Sequence, residues 1–162
     1  MFDAAFDYAM GFEGWSAVSD DPDDPGGLTK YGISKVNHPE VDVANLTLEG
    51  AKAIYKKMYW NAIKGDQIAS GRVAIKLFDM AVNMGTKRAT KMIQDALCDM
   101  GCNLDVDGMM GPKTLEAMNG VDDDVLFVFL VPLLEAFYRG LGKPKYIKGW
   151  LRRARTLPHV EG

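Results

Sequence analysis

The sequence of 162 residues contains only two cysteines and two histidines. Cys98 and Cys102 have no histidine near them, so neither a disulfide framework nor a zinc site is predicted, and the thiols are expected to be free. Long apolar runs are also lacking, because the longest, residues 125–134, contains Pro132 and is too short to span a bilayer. The first residues lack a basic stretch before an apolar one, so no signal peptide is predicted.

The composition, 48% hydrophobic and 25% charged, is that of one globular domain with a sizeable core. The net charge of -3 hides an asymmetry: residues 1–46 carry nine acids and two bases, whereas residues 139–155 carry seven bases and no acid. This basic segment, which includes Tyr146 and Trp150, suits an anionic polymer or a phospholipid surface; alternatively, it is a solvated helix face that pairs with the acidic part. No nucleic-acid module is recognisable.

A helix with one apolar face precedes Glu13. Its apolar residues recur at spacings of three and four: Phe2, Ala5, Phe6, Ala9 and Met10. Gly11 and Gly14 mark a helix end, so Glu13 is expected in the last turn. Partial burial and the negative end of the helix dipole both disfavour a carboxylate there. We therefore expect a raised pKa for Glu13, which suits a general acid.

Four aspartates follow in a turn rich in proline and glycine: Asp20, Asp21, Asp23 and Asp24. Solvent and exposed backbone keep carboxylates ionised in such a turn. Glycoside hydrolysis uses this combination, since a neutral acid protonates the leaving oxygen and a carboxylate activates water or stabilises an oxocarbenium-like centre. The alternative interpretation is an exposed glutamate followed by a solvated turn.

Residues 13–14 and 21–33 resemble the signature of the glycoside hydrolase family 108 N-acetylmuramidases, lysozyme-like endolysins and secretion-associated muramidases that cut peptidoglycan strands. Later segments resemble further motifs of that family in the same order: Tyr55, Tyr59, Trp60, residues 78–85, Gln94, residues 107–108, residues 111–114, residues 149–151 and Arg153. Trp15 stands where the family usually has a second glycine, and the stretch from Glu13 to the Asp-Pro element is longer than usual. The resemblance covers nearly the whole chain.

The resemblance implies a mainly α, lysozyme-like (α+β) fold in one domain, residues 1–162. Residues 1–86 would form the catalytic part, and residues 87–162 a helical peptidoglycan-binding-like part packed on it. It further implies hydrolysis of the β-1,4 bond between N-acetylmuramic acid and N-acetylglucosamine, with Glu13 as the general acid. No metal or cofactor is needed for this chemistry.

The second carboxylate stays open among the four aspartates. Asp24 is the first choice because it holds the Asp-Pro-Gly-Gly position of the signature, and Asp21 is next. Thr29 is expected to place the attacking water, as the equivalent Thr does in related phage-type lysozymes. The residues expected to contact the substrate are aromatic or polar: Trp15, Asp21, Tyr31, Tyr59, Trp60 and Asn83. For the aromatic residues among 55–60, a position in the core is the preferred interpretation, and the two roles can coexist.

Helical spacing predicts a central helix over residues 72–84 that is apolar almost all round. Asp79 and Asn83 share one face of it and are expected to be hydrogen-bonded or to support the cleft. The other predicted elements are a strand or turn at residues 29–33, a helix capped by Thr47, a helix over residues 87–99, a helix that starts near Pro112, a helix over residues 125–141 with a kink at Pro132, and a short basic helix after Gly149.

Residues 103–108 match the first half of a calcium loop, but Thr114 replaces the bidentate glutamate and Pro112 interrupts the loop, so calcium is not expected.

The rival functions are a non-catalytic wall-binding module and a calcium-responsive or nucleic-acid-binding protein. The expected partner is bacterial peptidoglycan, with an anionic wall polymer or membrane surface on the basic segment, no nucleic acid, and a monomeric state. We expect synthesis in the host bacterial cytoplasm and action on the wall after release, or a longer precursor.

Overall fold

The computed structural model describes residues 1–12 and 27–161, which form a mainly helical fold. Within these ranges the α-helices are α1 (Phe2–Met10), α2 (Leu48–Tyr55), α3 (Gly71–Met84), α4 (Thr86–Asp99), α5 (Pro112–Gly120), α6 (Asp123–Gly140) and α7 (Pro144–Arg155). Strands β1 (Thr29–Lys30) and β2 (Ile33–Ser34) pair as an antiparallel hairpin, and short helical turns lie at Val43–Asn45, Lys56–Trp60 and Gly65–Gln67. The predicted mainly α fold with a small β element is confirmed.

Helix α3 is the centre of the core, as predicted. Ser70 caps it by accepting a hydrogen bond from the Val73 amide, and every residue from Val73 to Ala81 is buried. Helices α1 and α4 pack against α3. The rings of Phe2 and Trp60 lie 5.8 and 5.9 Å from the ring of Phe78, both edge-on. Burial of one such aromatic ring contributes about 1.5–3 kcal/mol, so this contact holds α1 on α3.

Two helix starts follow the predicted local chemistry, and two helix boundaries differ. Thr47 caps α2 by accepting from the Gly50 amide, and Pro112 occupies the first turn of α5. Helix α1 ends at Met10, earlier than predicted. Helix α7 begins at Pro144 instead of after Gly149, because proline is well tolerated in a first helical turn.

The side chain of Gln94 on α4 closes the loop that precedes α5. Its Nε2 donates to Asp107 Oδ1 at 3.0 Å and to Thr114 Oγ1 at 3.1 Å, and its Oε1 accepts from the Gly108 amide at 2.9 Å.

Within residues 1–12 and 27–161, no cluster of three His, Cys, Asp or Glu side chains suits a metal ion. In the same ranges, the helices are too short or too polar to cross a membrane.

Candidate active site

The predicted catalytic segment lies between Phe12 and Gly27. Six of the residues predicted to act there lie outside the described ranges: Glu13, Trp15, Asp20, Asp21, Asp23 and Asp24. Phe12 directly precedes this segment and Gly27 directly follows it, and both residues lie within the described ranges.

Phe12 packs against a buried ion pair. The guanidinium of Arg153 lies 5.2 Å from the centroid of the Phe12 ring, a cation–π contact, and the Tyr8 ring meets Phe12 edge-on at 5.3 Å. Arg153 donates from Nη2 to Asp79 Oδ1 at 2.7 Å and from Nε to Oδ2 at 3.2 Å. Both side chains of the pair are buried. Because Glu13 follows Phe12 directly, the pair braces the backbone next to the candidate acid.

A second buried cation, Lys76, lies on the same helix as Asp79. Its Nζ donates to the carbonyl oxygens of Arg153 and Thr156, both at 2.8 Å, and the Tyr8 hydroxyl donates to the Thr156 carbonyl at 2.7 Å. Burial lowers the pKa of Lys76 from its ordinary value of 10.5 to about 8, although the Asp79 carboxylate favours the charged form. Burial also raises the pKa of Tyr8. These bonds tie α1 and α3 to the end of α7.

The low pKa of Lys76 predicts that stability rises with pH in the alkaline range. Between about pH 8 and pH 10.5 the unfolded chain holds a proton that folded Lys76 has released, so a higher pH favours the folded state. Across this range the free energy of unfolding should rise by about 3 kcal/mol relative to Lys76→Met, at about 1.36 kcal/mol per pKa unit. Urea unfolding at a series of pH values measures this difference.

The matched control for this titration is Lys113→Met, which removes an exposed lysine of α5. Its free energy of unfolding should follow that of the wild type at every pH. If the free energy of unfolding of the wild type minus that of Lys76→Met stays constant or falls as the pH rises, the depressed pKa of Lys76 is wrong.

After Gly27 the chain enters the β1–β2 hairpin. Thr29 Oγ1 donates to the Gly27 carbonyl at 3.0 Å. At the turn, Tyr31 (φ +51°) and Gly32 (φ +74°) occupy the left-handed region, which costs a residue other than glycine about 1–3 kcal/mol. The Tyr55 hydroxyl donates to the Tyr31 carbonyl at 3.0 Å, so the turn is fastened to α2. Thr29 and Tyr31 are half-buried, and their roles toward water and substrate stay predictions.

We expect Gly32→Ala to destabilise the hairpin turn. A Cβ atom on Gly32 would lie 2.4 Å from Tyr55 Oη, on a backbone that L side chains rarely adopt. The left-handed backbone costs about 1–2 kcal/mol, and displacement of the tyrosine hydroxyl adds about 1 kcal/mol. In a Tyr55→Phe background only the backbone cost should remain. Thermal or urea unfolding of the four chains measures this coupling, and equal costs in both backgrounds would contradict it.

Tyr59 and Trp60 were both predicted to contact the substrate, and the structure separates them. Trp60 is 0% exposed, and its Nε1 donates to Asp66 Oδ1 at 2.9 Å. The predicted substrate contact of Trp60 is therefore wrong, because the core encloses its ring. Tyr59 is half-buried, with its ring 5.6 Å from that of Tyr55, and burial raises its pKa. Its contact with a sugar stays a prediction.

Asn83 connects α3 to a row of aromatic rings. Its Nδ2 donates to the hydroxyl of Tyr138, whose ring stacks on Trp150 at 5.5 Å, and Trp150 stacks in turn on Tyr146 at 5.5 Å. We call these three rings the aromatic row. Tyr146 and Trp150 were noticed in the sequence, but Tyr138 was missed. A pattern within one helix does not reveal that α6 supplies the third ring.

The aromatic row borders a hollow beside Phe12. This hollow, the α7 groove, has a volume of about 310 Å³ and is lined by Phe12, Lys145, Tyr146, Gly149, Trp150, Arg152 and Arg153.

In the basic segment, Arg153 pairs with Asp79 on α3, and Arg155 pairs with Glu135 on α6 at 2.7 Å. Within residues 1–12 and 27–161, these two arginines therefore pair with α3 and α6, and any pairing of the basic segment with the acids of residues 13–26 lies outside the described ranges.

Two family models match the chain in succession. Residues 6–85 match the model described as Glycosyl hydrolase 108, and residues 88–155 match the model described as Predicted Peptidoglycan domain. The solved structure titled "Structure of Brucella abortus SagA" is 32% identical, with a TM-score of 0.74, and the match covers 94% of this chain and 90% of that chain. The chain belongs to the glycosyl hydrolase 108 family. No curated protein sequence matches it.

Membership of the glycosyl hydrolase 108 family establishes the general chemistry. The chain is a glycoside hydrolase, and its two matched regions make it a peptidoglycan hydrolase. The region that matches the Glycosyl hydrolase 108 model runs from within α1 to Gly85, and the region that matches the peptidoglycan-domain model ends at Arg155. The α7 groove is lined by both regions, since Phe12 belongs to the first and the α7 residues belong to the second.

Proposed function

We propose that this peptidoglycan hydrolase is an N-acetylmuramidase, which cleaves the β-1,4 bond between N-acetylmuramic acid and N-acetylglucosamine. The observation that carries the proposal is the glycosyl hydrolase 108 match over residues 6–85, because that region contains Glu13 and the acidic segment that resembles the muramidase signature. The peptidoglycan-domain match over residues 88–155 supports the same substrate.

Glu13 is proposed as the general acid. It gives its proton to the glycosidic oxygen as the bond from that oxygen to the anomeric carbon breaks. An ionised carboxylate either takes a proton from the attacking water or supports the cationic centre, and Asp24 is the first candidate for this role, followed by Asp21. Thr29 is proposed to hold the water. Tyr31, Tyr59 and Asn83 remain proposed substrate contacts.

The surroundings of Phe12 support the role proposed for Glu13. A general acid works only when it is held in a narrow range of positions relative to the leaving oxygen. Phe12, the residue directly before Glu13, packs on Tyr8 and on Arg153, whose guanidinium is paired with Asp79. Rigid elements on α1, α3 and α7 therefore fix the chain next to the proposed acid.

The identity of the new reducing ends tests the bond that is cleaved. Purified peptidoglycan is digested, the products are reduced with borohydride, and the sugar alcohols are identified by mass spectrometry. Muramitol ends are expected from a muramidase. Glucosaminitol ends would assign the other β-1,4 bond, and 1,6-anhydromuramic ends would assign a transglycosylase reaction; either result would overturn the proposal.

A non-catalytic wall-binding module is the second candidate, and the peptidoglycan-domain match together with the α7 groove favours it. Binding to walls without any new reducing ends would establish this candidate instead.

For the muramidase we further propose an endolysin-type role, in which the enzyme reaches the wall after release from the host bacterial cytoplasm.

A further inference from the structure

Helix α7 carries a stripe of exposed cations. Lys145, Lys148 and Arg152 recur at spacings of three and four and share one helix face. None of them pairs with a carboxylate of residues 1–12 or 27–161, whereas Arg153 and Arg155 both do. Like charges at these spacings repel each other. The stripe therefore suits an anionic ligand.

Gly149 lies within this stripe. Glycine inside a helix is destabilising relative to alanine, and a Cβ atom built on Gly149 meets no atom of residues 1–12 or 27–161 within 4 Å, so none of these residues requires a glycine there. The missing side chain leaves the helix surface open between two hollows, the α7 groove and a neighbouring one of about 620 Å³. Both hollows share Gly149 and Arg152. A side chain at position 149 would project into this space.

The walls of the α7 groove are aromatic. Tyr146, 49% exposed, and the half-buried Trp150 stack on each other, and Phe12 also lines the groove. The bond from Asn83 to Tyr138 anchors this row, because Tyr138 stacks on Trp150. Aromatic faces provide the apolar lining that positions small ligands, and sugar rings have an apolar face that packs on them.

We propose that the α7 groove binds an N-acetylmuramoyl residue together with the carboxylates of its stem peptide. The sugar ring packs on Tyr146 and Trp150, and the carboxylates pair with Lys145 and Arg152 of the groove and with Lys148 of the neighbouring hollow. N-acetylmuramic acid differs from N-acetylglucosamine by a lactyl group, which in the wall carries a peptide with free carboxylates. This inference rests on the proposed function and assigns to α7 the recognition of the acidic part of the substrate.

The shape of the site favours this ligand over a phosphate polymer or an anionic membrane. Those ligands would use the cations, but they need neither a concave aromatic wall nor a position beside Phe12, the residue before Glu13. A glycan strand that enters the active site must pass close to Phe12, so a groove lined by Phe12 is placed for its muramoyl units.

Calorimetric titration of a chain that carries Glu13→Gln, and so leaves its ligand intact, tests the groove. The probes are a tetrasaccharide of alternating N-acetylglucosamine and peptide-bearing N-acetylmuramic acid, and chitotetraose, which has no carboxylate. Gly149→Leu should weaken tetrasaccharide binding about tenfold or more by filling the groove, a change of about 1.4 kcal/mol. Lys145→Gln with Arg152→Gln should weaken it about tenfold while changing chitotetraose binding less than about twofold, because charged hydrogen bonds are lost.

Two control variants separate loss of binding from loss of folding. Gly120→Leu places the same side chain at the end of α5, where a Cβ atom also meets no described atom within 4 Å, and Lys113→Gln removes an exposed cation of α5. Both should bind like the parent chain. Gly149→Leu should melt at the same or a higher temperature, because leucine is the better helix former.

Three results would overturn the inference. The first is unchanged tetrasaccharide affinity in both groove variants. The second is an equal loss for chitotetraose in the charge variant. The third is binding of inorganic polyphosphate or phosphatidylglycerol vesicles that is lost in the groove variants while tetrasaccharide binding is kept. Failure of the proposed function is a separate outcome, since wild type would then release no reducing ends although the groove still bound the tetrasaccharide.

Discussion

Replacement of Glu13 by glutamine is expected to slow the release of reducing ends from peptidoglycan by about 10²- to 10⁴-fold, the usual contribution of a general acid. Glutamine has nearly the same size and hydrogen-bonding reach, but it has no proton to transfer to the glycosidic oxygen. The leaving sugar must then depart as an unprotonated oxyanion. Initial rates in a reducing-sugar assay, compared at equal concentrations of folded protein, measure this effect.

Glu116→Gln is the matched control for the Glu13 variant, because Glu116 is an exposed glutamate of α5. It should hydrolyse peptidoglycan at the wild-type rate. Should Glu13→Gln also keep the wild-type rate, Glu13 has no part in the mechanism, whichever bond the products identify.

Asp79→Asn is expected to lower the free energy of unfolding by about 3–5 kcal/mol, the usual cost of breaking a buried ion pair by removal of one partner. The substitution leaves the charges of Arg153 and Lys76 buried without this carboxylate. Their desolvation is then no longer offset by the Asp79 carboxylate. Urea unfolding monitored by circular dichroism measures the loss.

Two further variants show whether burial is the cause. Asp124→Asn breaks the exposed ion pair with Arg72 and should change stability much less, because water screens that pair. The double variant Asp79→Leu with Arg153→Met should recover much of the loss, since apolar residues of similar size often replace a buried pair without penalty. An Asp79→Asn variant no less stable than Asp124→Asn would contradict this account.

The central helix and the starts of α2 and α5 were predictable because the forces that set them are local. The near-continuous apolar stretch from Val73 to Ala81 predicted the central helix, and all nine residues are buried. The hydroxyl of Thr47 caps α2, and Pro112 begins α5, as their positions predicted. Such signals depend on neighbours three or four residues away, so a single sequence contains them in full.

Trp60 and α7 show where local reasoning fails. An aromatic side chain at helical spacing suits either a core or a sugar cleft, and only the packing of Phe2 and Phe78 around Trp60 assigns it to the core. Gly149 suggested the start of a helix, but α7 runs through it. Two contacts that follow Gly149, the stacking of Trp150 on Tyr138 and the pair of Arg153 with Asp79, hold that helix against α6 and α3.

The sequence by itself determined the helical architecture, the central position of α3 and the family signature that begins at Glu13, because periodicity, capping and ordered motifs are written in neighbouring residues. Only the tertiary structure decided how the buried charges are paired. Arg153 meets Asp79 across 74 residues of chain, and Lys76 reaches the Thr156 carbonyl across 80. These contacts exist because the end of α7 reaches Tyr8 on α1 and Lys76 and Asp79 on α3, and no local pattern specifies where a distant helix will pack.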